Sequence, residues 1–184
     1  MKKFIPLLIF SLIFAAYAGE SKDEPTKKEY KEMQIESPAF KDGENIPVKY
    51  TCDGKDISPE ILWKDILEEV KSLALICDDP DAPLKTWVHW VIYNIPPESE
   101  KLNEDIKPVK TLEDGTLQGI NNFGNIGYGG PCPPRGAPHH YHFKVYGLDV
   151  KLDVKAGITK KELLNKMEGH IIAKGEIVGL YKRK

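Results

Sequence analysis

Trp87-Val-His-Trp-Val-Ile-Tyr-Asn-Ile95 is filled almost end to end by β-branched and aromatic residues, the types that fit a pleated, buried surface. Alternation sets Trp87, Val91 and Tyr93 beside His89 on one face, and Val88, Trp90 and Ile92 on the other. A strand that is apolar on both sides runs through the middle of a covered sheet, so His89 is expected to be buried.

Similar runs lie to either side. Ile46–Thr51, Ser72–Asp78, Tyr141–Leu148 and Ile171–Leu180 are short apolar stretches bounded by Pro, Gly, Asn and Asp, the pattern of strands joined by turns. In His139–Leu148 the odd positions His139, Tyr141, Phe143 and Val145 make an apolar face, while His140, His142 and Lys144 point the opposite way. One helix signal stands out: Thr159-Lys-Lys-Glu162 is a capping box ahead of Leu163, Leu164 and Met167 on one helical face. Many strands and one helix predict a mostly-β sandwich with a peripheral helix, not alternating βαβ units.

The ends of the chain set its context. Lys2 and Lys3, the apolar run Phe4–Phe14 and then Ala16-Tyr17-Ala18 predict a secretory signal peptide over residues 1–18, with an uncleaved membrane anchor as the alternative. Its apolar run is shorter than the ~20 residues that span a bilayer. Residues 19–32 read as a polar, solvated tail, and 33–184 as a single domain. Removing Lys2 and Lys3 leaves 24 cationic residues against 28 acids, a net charge of −4. An acidic body of this kind predicts no nucleic-acid partner. The expected location is periplasmic or extracellular.

Export would carry three cysteines into an oxidising compartment. Cys77 closes the apolar run Leu73–Cys77 and is predicted to be a buried, inert thiol. For Cys52 and Cys132 a single bridge and two free thiols are both open, free thiols being the simpler reading. Neither C-x-x-C nor a zinc quartet is present, so no structural metal and no cofactor is expected.

The segment Pro96–Gly130 has weak periodicity, and its end, Phe123-Gly-Asn-Ile-Gly-Tyr-Gly-Gly130, leads into Pro131-Cys132-Pro133-Pro134. Those prolines cannot open a helix as a nucleotide-binding glycine loop requires. The glycines predict an unusual backbone path to a rigid wall, with amide N–H groups free for a ligand oxygen.

Chemistry-bearing residues concentrate in Asp78-Asp79-Pro-Asp81-Ala-Pro83, in Trp87-Val-His-Trp90, and in Gly129–Gly136 running into His139-His-Tyr141. Together with Tyr50–Pro59, Gly169-His170 and Gly179-Leu-Tyr181 they form a pattern that resembles the phosphatidylethanolamine-binding protein family, in its bacterial and archaeal Raf-kinase-inhibitor-like branch, from about Ser37 to Tyr181. The resemblance implies an antiparallel β-sandwich with small peripheral helices. It also implies a binding module rather than an enzyme. In its pocket Asp79 would be the acid, His89 and His139 the histidines and Tyr141 the phenol, with Pro131 and Pro134 on the rim. The implied ligands are small phosphate- or carboxylate-bearing anions or phospholipid head groups, and the implied protein partner is a kinase or a protease. Two departures from the kinase-inhibiting animal members are expected: three residues stand between Pro83 and Trp87 in place of a longer loop, and the few residues after the last predicted strand are not expected to form the further C-terminal helix of those members.

Within such a pocket Asp79 is expected to orient and charge an imidazole, and anion affinity to rise as the pH falls toward about 5.5. The alternative is a hydrolase using the same residues, either metal-dependent through Asp79, Asp81, His89, His139, His140 and His142 or metal-free. It faces one difficulty in the sequence: His139 lies on the opposite strand face from His140 and His142.

Overall fold

A computed structural model describes residues 30–184. The expected signal peptide and most of the polar tail lie outside the described residues. In chain order the elements are β1 (Lys31–Glu32), β2 (Gln34–Glu36), β3 (Ile61–Lys64), β4 (Ser72–Asp79), β5 (Trp87–Ile95), β6 (Lys101–Leu102), β7 (Leu117–Gln118), β8 (His139–Leu148), α1 (Lys160–Met167) and β9 (Ile171–Tyr181). They form a six-stranded sheet in the order β1-β9-β8-β4-β5-β7 and a three-stranded sheet in the order β2-β3-β6. All pairs are antiparallel except β1 with β9. This is the mostly-β sandwich the strand pattern predicts.

Between the sheets lies a core of Leu75, Trp90, Ile92, Phe143 and Val145 from the large sheet against Ile35, Ile61 and Trp63 from the small one. A second cluster covers the outer face of the large sheet, where Ile76, Val91 and Tyr93 meet Leu163 and Met167 of α1. The helix starts as its sequence predicts: the Thr159 side chain accepts from the Glu162 amide, and the Glu162 carboxylate accepts from the Thr159 amide. Asp78 pins this helix down, accepting from Lys144 of β8 and Lys160 of α1 on the outer face.

Ile46–Thr51 is not a strand: Val48–Tyr50 is a short 3₁₀ turn. Pro47 has no N–H to give a ladder, and its carbonyl accepts from the Tyr50 amide at 3.0 Å, closing the turn. The tail is shorter than expected, because Lys31 and Glu32 pair with Ala173 and Lys174 of β9. Pro96–Gly130 contributes two short strands, β6 and β7.

In β5 the pairing departs from the strict alternation expected of it. Cys77 pairs with Trp90 and Asp78 with Val88, so His89 is an extra residue between two consecutive pairs. Such a bulge re-aims side chains and breaks strict alternation. Val88, Val91 and Tyr93 consequently pack on the outer cluster, while His89 turns with Trp90 toward the inner side.

Candidate functional site

At the end of the large sheet where β4 stops and β8 starts, a cavity of about 230 Å³ is lined by Asp79, Trp87, His89, His139 and Tyr141. Its far wall is Phe123 with Cys132, Pro133 and Pro134, and Ala82 and Pro83 complete the rim. Asp79, His89, His139, Tyr141 and Pro134 thus meet as the sequence reading expects. Pro131 does not line the cavity: it is buried behind it, with its carbonyl accepting from the Cys52 amide at 3.1 Å.

Asp79, His139 and His89 each have a defined partner. The Nδ1–H of His139 donates to Asp79 Oδ2 at 2.8 Å, and the Asp81 amide donates to Asp79 Oδ1 at 2.8 Å. With both oxygens accepting hydrogen bonds, the Asp79 carboxylate orients the His139 imidazole. His89 is held from the other side: its Nδ1–H donates to the Gly129 carbonyl at 2.6 Å, while the Gly129 amide donates to the His89 carbonyl at 2.9 Å. Burial pushes the His89 pKa below its ordinary value, overcoming the Gly129 and Gly130 carbonyls and the charges of Asp79 and Asp56. The ring is therefore neutral at neutral pH.

Tyr141 stacks edge-on against His89, ring centres 5.1 Å apart, and is fully buried. Burial first, and then the Asp79 charge, push its phenol pKa far above the usual value, so it remains an O–H donor. Although Asp79 is close, that hydroxyl makes no hydrogen bond of normal geometry, and the Nε1–H of Trp87 is likewise buried and unpartnered. Trp87, Phe123 and Pro133 also line the cavity and are not among the residues expected from the sequence; for Trp87 the available signal is an indole N–H two positions from His89 on the same strand.

The glycine run does not behave as expected. Gly124 and Gly127 adopt positive φ, but Gly129 and Gly130 do not; they are required by close approach. A Cβ on Gly130 would lie 2.3 Å from the Tyr50 carbonyl oxygen. Their amides are also committed, Gly129 to His89 and Gly130 to Asp56 Oδ1 at 2.7 Å, so neither is free for a ligand.

Two further features frame the site. Cys52 and Cys132 form a disulfide, overturning the simpler reading of two free thiols, because the Gly130–Pro134 segment packs on the turn after Tyr50 and brings the Cα atoms to 5.4 Å. Cys77 is free and buried. On the opposite face His140 pairs with Asp81 and His142 with Glu176. The histidines a metal hydrolase would draw on are divided between two faces, and among the described residues no three His, Cys, Asp or Glu side chains are grouped to hold a metal ion. A larger groove of about 610 Å³ between Tyr30, Lys144 and Lys174 has no unpartnered buried polar atom.

Comparison with known proteins agrees with this architecture. The profile of the phosphatidylethanolamine-binding protein family matches residues 36–182. A UPF0098 protein of Methanothermobacter thermautotrophicus is 50% identical over 151 residues, 82% of this chain and 99% of that one. Another, from Pyrococcus abyssi, is 47% identical over 191 residues covering both chains completely. Among solved structures, a phosphatidylethanolamine-binding protein homologue from Chlamydia trachomatis superposes with a TM-score of 0.76 at 43% identity, covering 84% of this chain and 99% of that one. Escherichia coli YbcL gives 0.77 at 34% identity, covering 83% and 99%. The chain belongs to the phosphatidylethanolamine-binding protein family, in its bacterial and archaeal branch.

Proposed function

We propose that this protein is a binding module that holds a small anion, a phosphate- or carboxylate-bearing molecule or a phospholipid head group, in the cavity between His89, His139 and Tyr141. One observation carries the reading: Tyr141 and Trp87 both line the cavity, and each holds a buried donor, O–H and Nε1–H, that makes no hydrogen bond of normal geometry in the protein. A buried donor left unpaired costs ~1–3 kcal/mol, so two of them on residues of one cavity favour an acceptor that arrives from outside. Asp79 keeps its charge, but its oxygens accept from His139 and the Asp81 amide, which leaves the Tyr141 and Trp87 donors for the anion. The N-terminal pattern and a disulfide together support an exported protein in an oxidising compartment. Ligand occupancy would then set which protein partner, such as a protease, this face accepts.

Tyr141→Phe tests the reading, because the lost hydroxyl makes no hydrogen bond of normal geometry in the protein. Calorimetric titration with phosphate and phosphorylethanolamine is expected to show affinity reduced about tenfold with thermal stability unchanged or raised. Equal affinity in the two proteins, or no binding by the unsubstituted one, would sink it. Native mass spectrometry of protein from its own host then identifies the bound molecule.

A further inference from the structure

His89 is held in one tautomer, which bears on the anions the cavity prefers. A carbonyl oxygen can only accept, so the 2.6 Å contact to Gly129 puts the ring proton on Nδ1. Among the described residues no protein group donates to Nε2, and His89 lines the cavity, so Nε2 is the atom left to meet a ligand. In a neutral ring with Nδ1–H, that atom is a lone pair.

We infer that His89 serves as a hydrogen-bond acceptor through Nε2, so that the cavity selects oxyanions carrying an acidic O–H of their own over fully deprotonated ones. The inference rests on the anion-binding reading and narrows it to hydrogen phosphate and the protonated form of phosphomonoesters. Tyr141 O–H and Trp87 N–H donate to two oxygens of such a ligand, and its own O–H donates to His89. Sulfate has the same tetrahedral shape but only lone pairs at neutral pH. One of its oxygens would face the His89 lone pair, unless a proton is taken up onto the ring. A site built to accept from a ligand hydroxyl discriminates strongly against an analogue that lacks it.

The groups around the ring set how hard that proton uptake is. Asp79 at the end of β4 and Asp56 after the 3₁₀ turn favour the imidazolium; His139 and Tyr141 of β8 and Phe123 of the wall pack around it. Burial outweighs the two carboxylates and keeps the ring neutral.

The test is calorimetric titration of the full exported domain with inorganic phosphate, glycerol phosphate and sulfate at about pH 7.5 and about pH 5.5. Phosphate is expected to bind at the higher pH at least about tenfold more tightly than sulfate, with the gap closing at the lower pH as protonated His89 becomes accessible. Glycerol phosphate, whose last proton leaves near pH ~6, should gain on inorganic phosphate as the pH falls. Sulfate binding as tightly as phosphate at the higher pH overturns the inference while leaving the anion-binding reading intact; no binding of either phosphate overturns both. In His89→Gln the amide can donate as well as accept, so the phosphate-to-sulfate ratio should move toward one. A folded His89→Gln protein with an unchanged ratio also overturns the inference. If that variant does not fold, the comparison of anions on the unsubstituted protein decides alone.

Discussion

Asp79 and His139, 60 positions apart in the chain, are joined by a 2.8 Å hydrogen bond from Nδ1 to Oδ2 that fixes which nitrogen of His139 is free for the cavity. The pair is almost fully shielded, and the second Asp79 oxygen is held by the Asp81 amide. Asp79 therefore acts by positioning a ring.

For Asp79→Ala we expect phosphate affinity to fall about tenfold or more, with ~1–3 kcal/mol of stability lost as His139 Nδ1–H and the Asp81 amide lose their acceptor. Calorimetry and urea denaturation of the same samples read the two effects separately. Unchanged affinity would remove Asp79 from the site.

Asp78, the preceding residue, is the contrasting control. Burial pulls its pKa up, but hydrogen bonds and charge from Lys144 and Lys160 together hold it below the ordinary carboxylate value. Both lysines are partly exposed, which screens the pairs, so Asp78→Asn is expected to cost about 1–3 kcal/mol in denaturation while leaving anion affinity unchanged. A loss of affinity matching that of Asp79→Ala would contradict the division of the two faces.

His89 adds a pH dependence with a definite sign. Its folded pKa lies below the unfolded value of ~6.5, so below that pH the unfolded chain binds a proton that the folded chain does not. Its contribution to stability is complete above pH ~6.5 and declines as the pH falls toward the depressed folded pKa. Urea unfolding at about pH 7.5 and about pH 5 should show a smaller acid-side loss in His89→Gln than in the unsubstituted protein. Equal losses would mean the ring is not held neutral.

The Cys52–Cys132 bridge closes a separation of 80 residues, and Cys132 is part of the cavity wall. Replacing both cysteines by serine is expected to cost about 2–4 kcal/mol of stability, most of it by freeing the unfolded chain. It should also weaken anion binding, because Pro133 and Pro134 lose their tether to the Cys52 turn. Denaturation and titration with and without reductant check both; a protein indifferent to reductant would show the bridge to be dispensable.

What the linear order of residues determined was everything governed by local patterning and by residue type. The runs around Trp87–Ile95 and Tyr141–Leu148, the capping box at Thr159, and the direction in which His139, His140 and His142 point were all legible, since strand period and cap geometry act over a few residues. The Asp-Pro-Asp, Trp-x-His-Trp and His-His-Tyr motifs, taken together in their resemblance to the family, gathered Asp79, His89, His139 and Tyr141 as candidates. Only the tertiary structure decided the rest. A single extra residue in β5 turned His89 away from Val91 and Tyr93, because a bulge is set by which residue of β4 each residue pairs with. The Gly129 carbonyl chose the tautomer of that ring, the packing of Gly130 on Tyr50 brought two cysteines within bonding reach, and Trp87 was left with an N–H and nothing to give it to. Each of these depends on contact between segments far apart along the chain, and no local period encodes it.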